Sequence, residues 1–160
     1  METEDLEIGD IIAVKGKALI SEAIETVEGS PYSHIAGYVG ADKLIEANGF
    51  RRTGYCPERV YRGRADVFRC DILTLYGRKR IRELAKREVG TKYSYLLLFV
   101  ELIRYSFGIW LPYNPGPNRI CSTLWAGIYR EAGIDLCPGI KYPSPADIAN
   151  SKLLHNIGSL

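Results

Sequence analysis

Asn118-Arg119-Ile120-Cys121-Ser122-Thr123-Leu124-Trp125-Ala126-Gly127-Ile128-Tyr129-Arg130 is the stretch on which the reading of this chain turns. Leu124, Trp125, Ile128, Tyr129 and Ala132 keep the i, i+3/i+4 spacing of a buried helical face, and Gly133 supplies a stop. The spacing therefore predicts a helix that begins at Cys121. Backbone N–H groups at a helix N-terminus carry partial positive charge, so a cysteine there ionises more readily and becomes a better nucleophile. Standing alone, a cysteine at a helix start reads as a small buried hydrophobe. The functional reading needs a base for the thiol and a third group to orient that base.

Both are found upstream. His34-Ile35-Ala36-Gly37-Tyr38-Val39 and Leu44-Ile45-Glu46-Ala47 are strand-like runs around Gly40-Ala41-Asp42-Lys43, which predicts a β-hairpin. His34 and Glu46 are an even number of residues apart, so a loop of Gly40 to Asp42 would put them on one face, with His34 opposite Asn48 and diagonal to Glu46. A two-residue loop is expected to separate them. A lone histidine on a strand is usually structural, but a carboxylate among apolar neighbours needs a partner, because burying it unpaired costs several kcal/mol. The three residues together favour chemistry: Cys121 as nucleophile, His34 as base and Glu46 as the group that orients His34.

Around this core the chain reads as alternating elements. Ile8 to Val14 is a short buried strand, and Ile20, Ala23, Ile24 and Val27 mark one face of a helix between Gly16 and Gly29. Val60-Tyr61 and Ala65 to Cys70 are candidate strands. Between Gly77 and Gly90, Ile81, Leu84, Ala85 and Val89 define an amphipathic helix whose basic outer face reads as a solvated surface. Tyr95 to Leu111 is the most apolar part of the chain. Glu101 and Arg104 interrupt it, leaving uncharged runs much shorter than the ~20 residues of a membrane span, so a buried or substrate-lining helix is expected. A rigid loop with Pro112, Pro115 and Pro117 follows. Ser144 and Pro145 mark a further helix start, and a short tail closes the chain.

The length of 160 residues, with 46% hydrophobic and 25% charged residues, suits one soluble α+β domain spanning 1–160, with a small antiparallel sheet packed against the cysteine-bearing helix. A net charge of +2 gives no argument for a nucleic-acid partner. Met1 to Asp10 is acidic and lacks the basic and apolar regions of a secretory signal, which predicts a cytoplasmic protein whose thiols are free. The four cysteines show no C-x-x-C spacing and the two histidines no paired motif, so neither zinc nor any other cofactor is expected. Cys56, Cys70 and Cys137 read as structural, His155 as solvated, and the Ser122 and Thr123 hydroxyls as caps for backbone groups.

The order Gly9-Asp10-Ile11-Ile12, Ser33-His34-Ile35-Ala36-Gly37-Tyr38-Val39-Gly40, Leu44-Ile45-Glu46-Ala47, Gly90-Thr91-Lys92-Tyr93 and Ile120-Cys121-Ser122 resembles the circularly permuted NlpC-like branch of the papain-like cysteine peptidases. That branch includes the YiiX-like proteins and the lecithin retinol acyltransferase relatives, and its members place histidine and a polar third residue before the cysteine. The resemblance runs from about Gly9 to Ser151 and includes Pro145-Ala146-Asp147-Ile148-Ala149. It implies a permuted papain-like fold, Cys121, His34 and Glu46 in the roles above, and Tyr93 as a residue lining the site and stabilising the oxyanion with the Cys121 N–H. Unpermuted cell-wall enzymes carry Asp-Cys-Ser-Gly at the nucleophile, whereas this chain has Ile120-Cys121-Ser122-Thr123, so a peptidoglycan substrate is not implied.

The expected activity is that of a thiol hydrolase, a cysteine peptidase or amidase, acting on a peptide or amide. One alternative keeps the nucleophile and makes the protein a lipid acyltransferase or thioesterase in peripheral contact with a membrane, using Tyr95 to Leu111 to hold an acyl chain. Another makes it a non-enzymatic binding module of the same fold.

Overall fold

A computed structural model describes residues 3–16, 30–49, 51–94, 100, 108 and 120–160. The expected helix between Gly16 and Gly29, nearly all of the Tyr95–Leu111 segment and the proline-rich loop after it lie outside the described residues. The strands are β1 (Ile11–Lys15), β2 (Tyr32–Gly40), β3 (Lys43–Glu46), β4 (Gly54–Pro57), β5 (Ala65–Cys70) and β6 (Leu154–Ser159). They form one six-stranded sheet in the order β4-β3-β2-β1-β5-β6, with every neighbouring pair antiparallel. The helices are α1 (Leu75–Arg87), α2 (Cys121–Glu131) and α3 (Pro145–Ala149). The class is α+β as expected, but the sheet is larger than the small one the sequence suggested.

Alternation along the strands divides the core. Ile11, Ala13, Ile35, Val39, Ile45, Phe68 and Cys70 pack with Leu84 of α1, with Leu124, Trp125, Ile128 and Tyr129 of α2, and with Ile148 of α3. Ile12, Val14, Ala36, Tyr38, Leu44, Val67 and Tyr61 form a second cluster. A strand buried on both faces reads as a continuous apolar run, which is how Ile11 to Val14 reads.

Several boundaries differ from the sequence reading. The first strand, expected from Ile8, starts only at Ile11, because Ile8 and Gly9 form a turn with Gly9 at φ +97°. Val60 and Tyr61 are not strand but the end of a 3-10 turn, Glu58–Tyr61, entered from Pro57. The Glu58 N–H donates to the Asp42 carbonyl and its side chain pairs with Arg62 at 3.1 Å, local bonds that override the β preference of the two residues. Helix α1 starts at Leu75 because the Thr74 hydroxyl caps the Gly77 N–H at 3.1 Å, and Val89 lies beyond its end, exposed. The tail is not a plain tail: Leu154–Ser159 forms the edge strand β6, whose mostly exposed polar residues carry no alternating signal.

Helix α2 is docked at two points. The indole of Trp125, fully buried, donates from Nε1 to the Ile45 carbonyl at 2.9 Å, and the Tyr129 hydroxyl donates to the Gly9 carbonyl at 2.6 Å. Trp125 lies flat against β2, where a Cβ on Gly37 would fall 2.2 Å from its ring, so the strand must be glycine here. Gly133 ends the helix with φ +92° in a Schellman turn, its N–H bonded to the Arg130 carbonyl and that of Ile134 to Tyr129.

Gly37→Ala is expected to destabilise the protein by about 1–3 kcal/mol through overpacking. Gly127→Ala, on a helix site with open space around its added Cβ, is expected to stabilise it by roughly 0.5–1 kcal/mol. Urea unfolding of the two variants checks this. Equal and small effects would show that the Trp125 contact does not constrain the strand.

Candidate active site

The β2–β3 hairpin places the first two polar residues. Ala41 and Asp42 both have positive φ, 53° and 55°, the signature of a two-residue type I′ turn, and Gly40 pairs with Lys43. This contradicts the expected Gly40 to Asp42 loop. It does not separate His34 from Glu46, because an extra β2 residue between Tyr38 and Gly40 shifts the register back, giving Tyr38 opposite Leu44 and Ala36 opposite Glu46. The bulge does the work that was assigned to a longer loop. The β2–β3 ladder ends at Ala36–Glu46, leaving His34 diagonal to Glu46.

His34 Nε2 lies 2.7 Å from Glu46 Oε2. The Glu46 side chain is 2% exposed, and His34 is 20% exposed. Glu46 collects further donors that the sequence reading missed. The Tyr61 hydroxyl donates to Oε2, Arg51 Nη2 donates to Oε1 at 2.7 Å, and Asn48 Nδ2 reaches Oε1 at 3.4 Å. Burial opposes ionisation of this carboxyl, but the donors, His34 first, outweigh it and hold Glu46 down at about 2. The buried carboxylate was itself the signal that such donors must exist. Arg51 stands within reach in sequence, whereas nothing in the sequence marked Tyr61.

Cys121 is the first residue of α2 and is buried. The N-cap is Ile120, which carries no acceptor, so the helix start has no side-chain cap of the usual kind. Instead Thr123 Oγ1 accepts from the Ile120 N–H at 3.1 Å, as expected for this hydroxyl. Ser122 does not cap: its Oγ is buried and finds no hydrogen-bond partner among the described residues. The His34 ring hydrogen-bonds Glu46, and Cys121 stands near enough to favour its protonated form. With Nε2 committed to Glu46, Nδ1 is the nitrogen left for the sulfur. Burial disfavours the imidazolium, but the sulfur on one side and the carboxylate on the other outweigh it and raise His34 to about 10.

Other expected residues are placed as follows. Tyr93 is half-buried and packs against the cluster that contains Cys121. Cys56, Cys70 and Cys137 are buried free thiols, and burial pushes each of them up, Cys137 to about 11. This fits a structural role. His155 is exposed and pairs with Asp71 at 2.9 Å. Asp10, within the Gly9-Asp10-Ile11-Ile12 motif, is fully buried and accepts two bonds from Arg69, at 2.9 and 2.6 Å, tying the start of β1 to β5.

The fold defined by this sheet and its flanking helices is a mixed α+β architecture with a solved structural neighbour. The crystal structure of the metalloprotein YiiX from Escherichia coli O157:H7 superposes with a TM-score of 0.74 at 18% identity, covering 96% of this chain and 97% of that one. That likeness concerns the fold. No protein-family model matches the sequence, and no curated protein matches it. No helix among the described residues is long and apolar enough to cross a membrane.

The donor set at the site does not suit a metal ion. Both Glu46 oxygens are already occupied, one of them by the guanidinium of Arg51, whose charge would repel a cation. His34 Nε2 is likewise committed to Glu46.

These shifts set a pH window for stability. Glu46, lowered in the fold from 4.5 to about 2, stabilises the protein above pH 4.5, and this contribution is lost as pH falls toward 2. His34, raised from 6.5 to about 10, stabilises it below pH 6.5, and that contribution is lost as pH climbs toward 10. Urea unfolding across pH should therefore show Glu46→Gln flattening the acid slope and His34→Gln the alkaline one. Variants that leave both slopes unchanged would contradict the pairing.

Proposed function

We propose that this protein is a thiol hydrolase of the permuted papain-like, NlpC-like type, a cysteine peptidase or amidase that works through an acyl-enzyme on Cys121. The single observation that carries the reading is the His34 imidazole held through Nε2 by the buried Glu46 carboxylate at 2.7 Å, with Cys121, at the start of α2, near enough to favour its protonated form. The chain order, His34 and Glu46 before Cys121, supports the permuted form, and the likeness to YiiX supports the overall fold.

In the proposed reaction His34 holds the proton taken from Cys121 as an imidazolium, and the thiolate attacks the carbonyl carbon of the substrate, forming a C–S bond. Negative charge develops on the carbonyl oxygen, where the Cys121 N–H at the start of α2 is a donor and Tyr93 a second candidate. The C–N bond breaks as the His34 imidazolium gives its proton to the leaving amine. Water then enters, His34 accepts its proton, and the hydroxide attacks the thioester. The C–S bond breaks, the acid is released, and the sulfur leaves as thiolate. Glu46 holds the ring with Nε2 fixed, so that Nδ1 faces the sulfur throughout.

Transfer of the acyl group to an acceptor other than water would use the same residues. The segment expected to hold a lipid chain, Tyr95 to Leu111, lies almost wholly outside the described residues and lends that alternative no support.

Iodoacetamide at neutral pH should alkylate Cys121 ahead of Cys56, Cys70 and Cys137, as read by peptide mapping of the full-length protein. Cys121→Ala should abolish the fast phase, and His34→Ala should slow it by roughly 10²–10⁴-fold, the usual scale of a lost general base. Labelling spread evenly over the four thiols, or unchanged in His34→Ala, would overturn the nucleophile assignment and favour a binding module.

A further inference from the structure

A glutamate has three side-chain torsions, and a carboxylate can orient an imidazole only if its own plane is fixed. Four donors converge on Glu46, and they divide the work by oxygen. His34 Nε2 and the Tyr61 hydroxyl share Oε2, while Arg51 Nη2 and Asn48 Nδ2 share Oε1. Tyr61 is 6% exposed at the end of the 3-10 turn Glu58–Tyr61, and its ring also packs against the imidazole, with centroids 5.8 Å apart. It therefore touches both members of the pair that must stay aligned. Arg51 reaches Glu46 from the loop between β3 and β4, and its Nη1 is anchored on the Tyr55 carbonyl of β4 at 2.9 Å. The guanidinium thus spans two strands and stands at a set distance from the carboxylate.

We propose that Tyr61 and Arg51 are positioning residues of the Cys121–His34–Glu46 site, pinning one Glu46 oxygen each so that the carboxylate holds the His34 ring aimed at the sulfur. The assignment rests on the thiol-hydrolase reading of this site and extends it from three residues to five. The division also balances charge. The carboxylate is neutralised by Arg51, so His34 and Cys121 can exchange a proton without leaving an uncompensated anion buried behind them. A role in the fold alone fits Arg51 poorly, because its side chain is 43% exposed and, among the described residues, its anchors are one carbonyl and Glu46 itself.

The test is the rate at which iodoacetamide alkylates Cys121 at neutral pH in Tyr61→Phe, Arg51→Met and Arg51→Lys, alone and in a Glu46→Gln background. Tyr61→Phe and Arg51→Met should each slow labelling about tenfold, the scale of one charge-assisted hydrogen bond. Arg51→Lys, which restores the charge, should recover most of that loss. In Glu46→Gln the added Tyr61→Phe or Arg51→Met substitution should cost almost nothing further, because both act through Glu46. Wild-type rates in the single variants, no recovery in Arg51→Lys, or losses that multiply in the Glu46→Gln background would each overturn the assignment. A variant that labels slowly only because it has lost its fold reveals itself by a lowered urea midpoint, and Arg51→Lys, on a half-exposed site, then decides the matter. Failure of the underlying reading has a different mark, a wild-type Cys121 no faster than the other three thiols.

Discussion

The indole of Trp125 occupies the space where a side chain at position 37 would lie, and the rest of the site depends on that contact. Because Gly37 has no Cβ, helix α2 settles against β2 and bonds across to Ile45 of β3. The same helix carries Cys121 one turn earlier, and the same two strands carry His34 and Glu46. A single packing interaction therefore couples the position of the thiol to that of its partners. Tyr129, bonded to the Gly9 carbonyl, fixes the other end of the helix so that it cannot pivot about the tryptophan.

Electrostatics then acts on a geometry already set. Burying Glu46 would be costly if it stood alone, but four donors surround it, and one of them is the His34 ring. The ring in turn lies near Cys121, so charge alternates from Arg51 through Glu46 to the His34 ring beside the thiol. Each group favours the charged form of its neighbour, which is why burial fails to neutralise either the carboxylate or the imidazole. Cys56, Cys70 and Cys137 are also buried, and burial first, with nearby carboxylates adding to it, pushes them toward the neutral thiol.

Much of this was legible in the sequence where local pattern and tertiary contact agree. The period of Leu124, Trp125, Ile128 and Tyr129 marked α2, and Ala65 to Cys70 gave β5 with its bounds intact. The facing of His34 and Glu46 was also legible, although its cause was not. A bulge has no strong sequence mark, and Ala41 gives no hint of the left-handed conformation that the tight turn imposes. Tyr61 was hidden for a related reason: its β preference suggested a strand, while Pro57 and the Glu58–Arg62 pair make a 3-10 turn that swings its hydroxyl onto Glu46. Strand β6 was missed because an edge strand with exposed polar residues resembles a loop. What pattern reading lacked in each case was a long-range partner.

The central claim, that His34 is a charged ring held between a sulfur and a carboxylate, has a direct spectroscopic test. The chain has only two histidines, so 15N NMR of the ring nitrogens can follow His34 with the exposed His155 as an internal reference. The account predicts that both His34 nitrogens carry protons at pH 7 and remain so until pH approaches about 10, with the charged form receding in Glu46→Gln. A His34 ring that titrates near the ordinary value of 6.5, and does so equally in wild type and Glu46→Gln, would contradict it.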